Sequence, residues 1–325
     1  MAEQVYGLIL EKELNPRDWS FGGVSGITKD EVLQIDSDWT NYLPKYEPQS
    51  NNYFDTYSCV SFGLLNAVEI YLKRKFDEER NFSDRFLATV SKTICGKGNE
   101  MRLVAEALRL TGVPHEEYWP FNEPKTCPEY FSEISEDIYL LAKANFLDKY
   151  NFRWEWLFDH AQGTIVNALR FSPLPVAVYA GNDKTEINGI IQRDDRWPTH
   201  IEVLYGFKLN EYFSTFNTYE NKYKKYAWDY SFGAIQRIYL ERKTFMPTPP
   251  ITIPNNVPVQ NVFTGEAGFH LDGKIMIFSS DRAENLASVV YTTVMRNGEY
   301  VQGIPLTREQ WDSFPKMDKD KNIIV

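Results

Sequence analysis

Asp55-Thr56-Tyr57-Ser58-Cys59-Val60-Ser61-Phe62 is the stretch on which the fold turns, because a strongly apolar helical pattern begins at its cysteine. Val60, Phe62, Leu64, Leu65, Ala67, Val68, Ile70 and Leu72 carry that pattern over residues 59–73, dense enough for a buried helix. Lys73-Arg74-Lys75 puts positive charge at the C-terminal end, where the helix dipole favours it. A cysteine at the other end meets free backbone N–H groups, which favour the thiolate. His200 follows 141 residues later and Asn217 a further 17, each in a segment that reads as a strand. A helical cysteine taken alone is most often an inert core residue, and a lone histidine at a strand start is most often structural. In this order and spacing the three read instead as nucleophile, proton shuttle and ring-orienting partner of a thiol hydrolase, most simply a peptidase.

The rest of the chain sets bounds on that reading. At 325 residues it holds one large or two modest domains. An aromatic content of 15% favours a β-rich, well-packed protein over a disordered one. The net charge of −10 comes with no Lys/Arg run suited to phosphates, so nucleic acid is not an expected partner. No stretch reaches the 18 or so apolar residues of a membrane span, and Met1–Tyr6 carries no signal-peptide pattern. Three cysteines, Cys59, Cys95 and Cys127, do not make a disulfide framework. Reduced thiols are expected, in a cytoplasmic or virion-associated protein.

Helices are expected near 83–94, 99–111 (closed by Gly112), 133–147 and 163–170. After Pro173 the character changes. Leu174–Ala180, His200–Phe207, Tyr212–Asn217 and Ala234–Glu241 are rich in Val, Ile, Phe and Tyr and read as strands. The class is α+β, with a helical half and a β-sheet half meeting at an interface. The expected division is an N-terminal extension over 1–36, a catalytic domain over 37–245, a proline-rich linker over 246–259 and a small β-rich module over 260–325. In that module 274–279, 288–295 and 300–303 read as strands, Asn297-Gly298 as a hairpin turn, and Thr307–Phe314 as a short helix opened by a capping box.

Tyr57-Ser58-Cys59-Val60-Ser61-Phe62 resembles the Gly-Ser-Cys-Trp-Ala-Phe nucleophile segment of papain-like cysteine peptidases. Cys95-Gly96-Lys97-Gly98-Asn99 resembles that family's Gly-rich substrate edge, and Gly112 to Phe121 the segment that follows its next helix. Pro175-Val176-Ala177-Val178, His200 to Phe207, Phe216-Asn217-Thr218-Tyr219 and Ala227 to Leu240 resemble its later strands, in the same order, so that the likeness covers roughly residues 36–242. It implies a papain-like fold with a helical left and a β-sheet right subdomain, closest in type to prokaryotic and bacteriophage members. It implies a catalytic Cys59, His200 and Asn217, substrate contacts at Gly98, Asn99 and Met101, and no metal or cofactor.

The departures are specific. The family's oxyanion glutamine stands six residues before the cysteine, where this chain has Tyr53. Gln49, ahead of an inserted loop, is expected to keep the role, with Asn52 as the alternative. Tyr219 replaces the tryptophan that shields the His–Asn bond, and Thr56 replaces the cysteine that would pair with Cys95. The 36 or so residues ahead of the domain are fewer than the family's usual inhibitory segment and are expected to wrap its surface. The implied substrate is a protein or peptide. Two other readings stand beside it: a structural or docking component of a larger assembly, for example a viral one, with residues 260–325 as its docking part, and an amide hydrolase acting on peptidoglycan. Asp318, Asp320 and Asn322 start like a calcium loop but lack its glycine and closing glutamate.

Overall fold

The computed structural model describes residues 6–11, 15, 18–21, 31–219 and 222–243, and the backbone of five short strands farther on. In chain order the elements are α1 (Cys59–Phe76), α2 (Asp84–Val90), α3 (Met101–Thr111), α4 (Cys127–Tyr130), α5 (Glu136–Ala142), β1 (Tyr150–Trp156), α6 (Gln162–Leu169), β2 (Leu174–Val178), β3 (Glu186–Ile187), β4 (Ile190–Ile191), β5 (His200–Lys208), β6 (Tyr212–Phe216), β7 (Tyr223–Ala227) and β8 (Gln236–Arg242).

Helix α1 is buried along its whole length from Cys59 to Leu72, because it runs between the other helices and the sheet. That is the structural meaning of a helix apolar on every side. Gly63 allows the closest approach: a Cβ there would lie 2.5 Å from Cγ2 of Ile201 on β5. α2 starts on the Ser83 hydroxyl, which accepts from the Phe86 N–H at 3.0 Å. α3 is amphipathic, burying Met101, Val104, Ala105 and Leu108. It stops at Gly112, whose φ of +70° suits glycine.

The main sheet has the order β2-β5-β6-β7-β4-β3. Its pairs are antiparallel except β4 with β7, which meet in parallel at Ile191 and Tyr226. β1 and β8 pair separately, from Tyr150 opposite Arg242 to Trp156 opposite Gln236. The α+β expectation therefore holds, with helices first and strands second. The sequence reading missed β1. Its signal was there in the alternation Tyr150, Phe152, Trp154, Trp156, all buried. The helix expected over 133–147 is shorter, 136–142, and runs out through one π turn over Lys143–Leu147.

The expectation of three free thiols is corrected. Cys95 and Cys127 form a disulfide with their Cα atoms 6.2 Å apart, and Cys59 is the free cysteine. The tight turn Ile94–Gly98 and the start of α4 bring together two thiols that are 32 positions apart in sequence. A link over that span contributes about 3–4 kcal/mol by restricting the unfolded chain. The argument from reduced thiols to a reducing compartment falls with it.

A group of carboxyls lies buried in the helical half. Glu69 on α1 accepts from the Phe82 N–H at 2.8 Å, and Glu116 accepts from the Phe121 N–H at 2.6 Å. Asp84 Oδ1 and Glu116 Oε2 are buried with no hydrogen-bond partner among the described residues. Burial, then mutual repulsion with Glu47, raises Glu69 and Asp84 well above the usual carboxylate range. Burial brings Glu116 up to about 8, opposed by the Phe121 N–H and by the charge of Arg85. The folded state thus holds protons that the unfolded chain releases above about pH 4.5. Stability is expected to be full below that value and to fall as pH rises towards 8, by roughly 1.4 kcal/mol per pH unit for each such group. Urea titrations between pH 5 and 8 check this, with Glu116→Gln flattening the slope. A wild-type stability that does not fall over this range refutes it.

The chain divides into two compact units, Met1–Lys243 and Thr244–Val325. In the second, Ile275–Ile277 and Pro305–Leu306 flank Val289–Thr293 in an antiparallel sheet, and Lys316–Met317 pairs with Ile323–Ile324. Two of these strands fall within the expected 274–279 and 288–295. The linker, the 300–303 strand, the Asn297-Gly298 turn, the Thr307–Phe314 helix and Asp318, Asp320 and Asn322 lie outside the described residues. No helix among the described residues is long and apolar enough to cross a membrane.

Candidate active site

Cys59 is the first residue of α1, behind Ser58 as N-cap. Its sulfur receives the N–H groups of Ile201, Val60 and Cys59 itself, which favour the thiolate. Burial outweighs them and raises the thiol, and the charge of Asp55 adds to this. His200 opens β5, so it stands next to Ile201 at the point where sheet and helix meet. Asn217 directly follows β6, which is paired to β5.

The His200 Nε2–H donates to Asn217 Oδ1 at 2.8 Å. With Nε2 carrying the proton, Nδ1 is the basic nitrogen. Nδ1 is buried and has no hydrogen-bond partner among the described residues. Burial lowers the imidazole to about 4, although the nearby Glu202 opposes this. The Tyr219 ring packs on the His200 ring at a centroid distance of 4.9 Å, covering the His–Asn pair as the family's tryptophan would.

Gln49 is fully buried beside this pair. Its backbone N–H donates to Thr218 O at 2.9 Å. Its side-chain NH₂ donates to Asp55 Oδ1 at 2.9 Å and to the Tyr219 hydroxyl at 2.7 Å, and its oxygen accepts from Thr218 at 3.1 Å. Both amide protons of Gln49 are therefore engaged. Asn52 is exposed at the tip of the inserted loop. Asn99 is held rigidly, its side-chain NH₂ donating to Ser91 O, Ser91 Oγ and Thr93 Oγ1 at 2.9–3.0 Å. Met101 is 1% exposed and belongs to the core behind that edge.

The sequence reading missed what lies across the site. Residues 6–9 do not merely wrap a surface. Gly7 O accepts from the Asn99 N–H at 3.0 Å, and the Ile9 N–H donates to Asn99 O at 2.8 Å, so that Leu8 pairs in parallel with Asn99. The Leu8 N–H donates to Thr199 O at 3.2 Å, next to His200. Gly7, at φ +103°, is pressed against Tyr57 and Gly98. Tyr6 meets the Tyr219 ring edge-on at 6.1 Å. Cys59, His200 and Asn217 are each 0% exposed. The apolar run Tyr6-Gly7-Leu8-Ile9-Leu10, with a single glycine, was the available signal for an extended segment.

Glu202 was also missed, although a lone acid in an apolar strand is conspicuous. It follows His200 by two positions on the same face of β5 and is buried. It accepts from Lys224 Nζ at 2.7 Å, Tyr226 OH at 3.0 Å and Thr215 Oγ1 at 2.5 Å. That polar cluster is fully satisfied, which is the condition for a buried ion pair to be tolerated.

The solved structures that resemble this chain include xylellain, a cysteine protease from Xylella fastidiosa. The likeness has a TM-score of 0.54 at 17% identity and covers 74% of this chain and 97% of that one. The fold is papain-like. Bromelain protease from Ananas comosus, solved in complex with the E64 inhibitor, matches at a TM-score of 0.47 and 18% identity over 63% of this chain and 98% of that one. Digestive procathepsin L 3 from the larval midgut of Tenebrio molitor matches at 0.47 and 14% identity, over 65% and 75%. No protein-family model matches the sequence, and no curated protein matches it. Within the papain-like fold, this chain places Cys59 at the start of the buried helix, His200 at the start of β5 and Asn217 just past the end of the paired β6.

Proposed function

We propose that the chain is a cysteine-type peptidase held in a self-covered form. The His200–Asn217 bond, which leaves Nδ1 as the basic nitrogen on the strand whose Ile201 lies against Cys59, carries the reading. Asn217 cannot accept a proton from the ring, so its role is to fix the ring's orientation and tautomer. Nδ1 takes the thiol proton, and the thiolate attacks the substrate carbonyl. The tetrahedral oxygen is met by the Cys59 N–H and by the Gln49 amide once Asp55 and Tyr219 release it. The imidazolium passes its proton to the departing amine, leaving a thioester. A water that gives its proton to His200 then hydrolyses the thioester and restores the thiol. Gly98 and Asn99 present the backbone edge on which the acyl half of a peptide is held, the edge that residues 7–9 now occupy.

Nothing can reach the sulfur until residues 6–9 move. In the covered form burial keeps the thiol and the imidazole neutral; opening rehydrates both and allows the ion pair. Residues 260–325 contain no cysteine and are assigned to docking, within an assembly of the viral kind or otherwise. The test is exposure to an epoxide inhibitor of the E64 type followed by peptide mapping. Modification of Cys59 is expected. An unmodified Cys59 in a chain whose residues 6–9 have been displaced overturns the proposal.

A further inference from the structure

On the side of the His–Asn pair away from Asn99, a cavity of about 480 Å³ is lined by Asn217, Tyr219, Asp55, Asn182, Lys184 and Lys224, with Tyr6 at its near edge. A second cavity of about 440 Å³ shares Asn182, Lys184 and Lys224 and continues outward along β7 and the β3–β4 hairpin. The two make one groove leading away from the reacting centre. Residues 6–9 mark the other half of the cleft, running from Tyr6 at the cavity to Ile9 at Asn99.

The charges at the inner end of this groove are nearly all spent. Asp55 accepts from Gln49, the Tyr57 N–H and Tyr219. Asp183, near the mouth, is bound by Arg196 and Tyr179. Glu202 holds Lys224. Lys184 is different. It is half-buried between the two cavities and makes no ion pair or hydrogen bond among the described residues, and Glu186, exposed on β3, does not reach it. Burial, then the neighbouring Lys224 charge, disfavour its charged form; Glu202 and Glu186 oppose them without outweighing them, and a carboxylate in direct contact would do so. An ammonium held part-way out of water beside a second lysine is a site for an anion that enters from the groove.

We infer that this groove takes the leaving half of the substrate and that Lys184 binds a carboxylate on that half. The inference rests on the peptidase reading for the direction of the cleft. The carboxylate comes either from an Asp or Glu side chain or from a free chain end, and the two are separable by experiment.

The full-length chain carrying Cys59→Ala can be titrated calorimetrically with short peptides that have a free amino end, as leaving products do. Three peptides suffice: one neutral and amidated, one amidated with an internal Glu, and one neutral with a free carboxyl end. One of the last two is expected to bind about tenfold more tightly than the first, the value of one partly desolvated charge-assisted hydrogen bond. Whichever binds names the source. Lys184→Ala should reduce the preference to under twofold, Lys184→Arg should keep it, and Lys208→Ala, a distant lysine paired with Glu211, should not alter it. Equal binding of all three peptides, no binding of any at millimolar concentration, or a preference that survives Lys184→Ala overturns the inference. These outcomes do not depend on hydrolysis, so failure of the groove and failure of the catalytic reading remain distinct.

Discussion

Cys59→Ala is expected to lower peptide hydrolysis about 10⁴- to 10⁶-fold, to the level left by binding and oxyanion contacts alone. His200→Ala should cost a similar factor, because the thiol then has no proton acceptor, and the double variant should lose little more than either single one. The side chain removed from Cys59 is small, so the cost in stability is on the order of 1 kcal/mol, to be checked by thermal melting. Asn217→Ala should lose less than the other two, since it orients the ring and does not exchange the proton. Turnover by Cys59→Ala within tenfold of the parent, in a chain that melts normally, would rule out Cys59 as nucleophile.

Gly7→Val is expected to raise the rate of Cys59 alkylation by roughly 10- to 100-fold. Residue 7 has a φ of +103°, which a β-branched side chain rarely adopts, and a Cβ there would lie 2.6 Å from Tyr57 O. The segment would then give up its three backbone bonds to Asn99 and Thr199, each contributing about 0.5–1.5 kcal/mol. The opening equilibrium shifts accordingly, and both alkylation and hydrolysis report it. The melting temperature should fall modestly at the same time. A lower melting temperature with no change in alkylation rate would mean that residues 6–9 are a structural staple and leave access to the sulfur unchanged.

Much of this site was legible because its elements have strong local signals. An apolar run of helical density starting at Cys59 has few other interpretations, and the strands of His200 and Asn217 are bounded by polar loops. β1 was overlooked because only Asp148 and Lys149 separate it from the π turn, with no glycine or proline to mark where it starts. The disulfide was overlooked because pairing depends on where two loops meet in space, and nothing near Cys95 in sequence points to Cys127. Gln49 was found by its type, but its engagement by Asp55 and Tyr219 depends on a residue 170 positions away.

Short-range pattern was enough for the α+β order, the buried helix behind Cys59 and the pairing of His200 with Asn217, because hydrophobic period, caps and side-chain chemistry act over short stretches. The protonation and accessibility of the site come instead from long-range packing. A thiol at a helix N-terminus should ionise easily, yet here burial favours its neutral form, in a fold where residues 7–9, nearly two hundred positions from Thr199, bond to Thr199 and Asn99. The same holds for Lys184 and for the carboxyls around Glu116, whose charge states follow from what the fold removes from solvent. Desolvation is a property of the whole packed molecule, and no local pattern of residues encodes it.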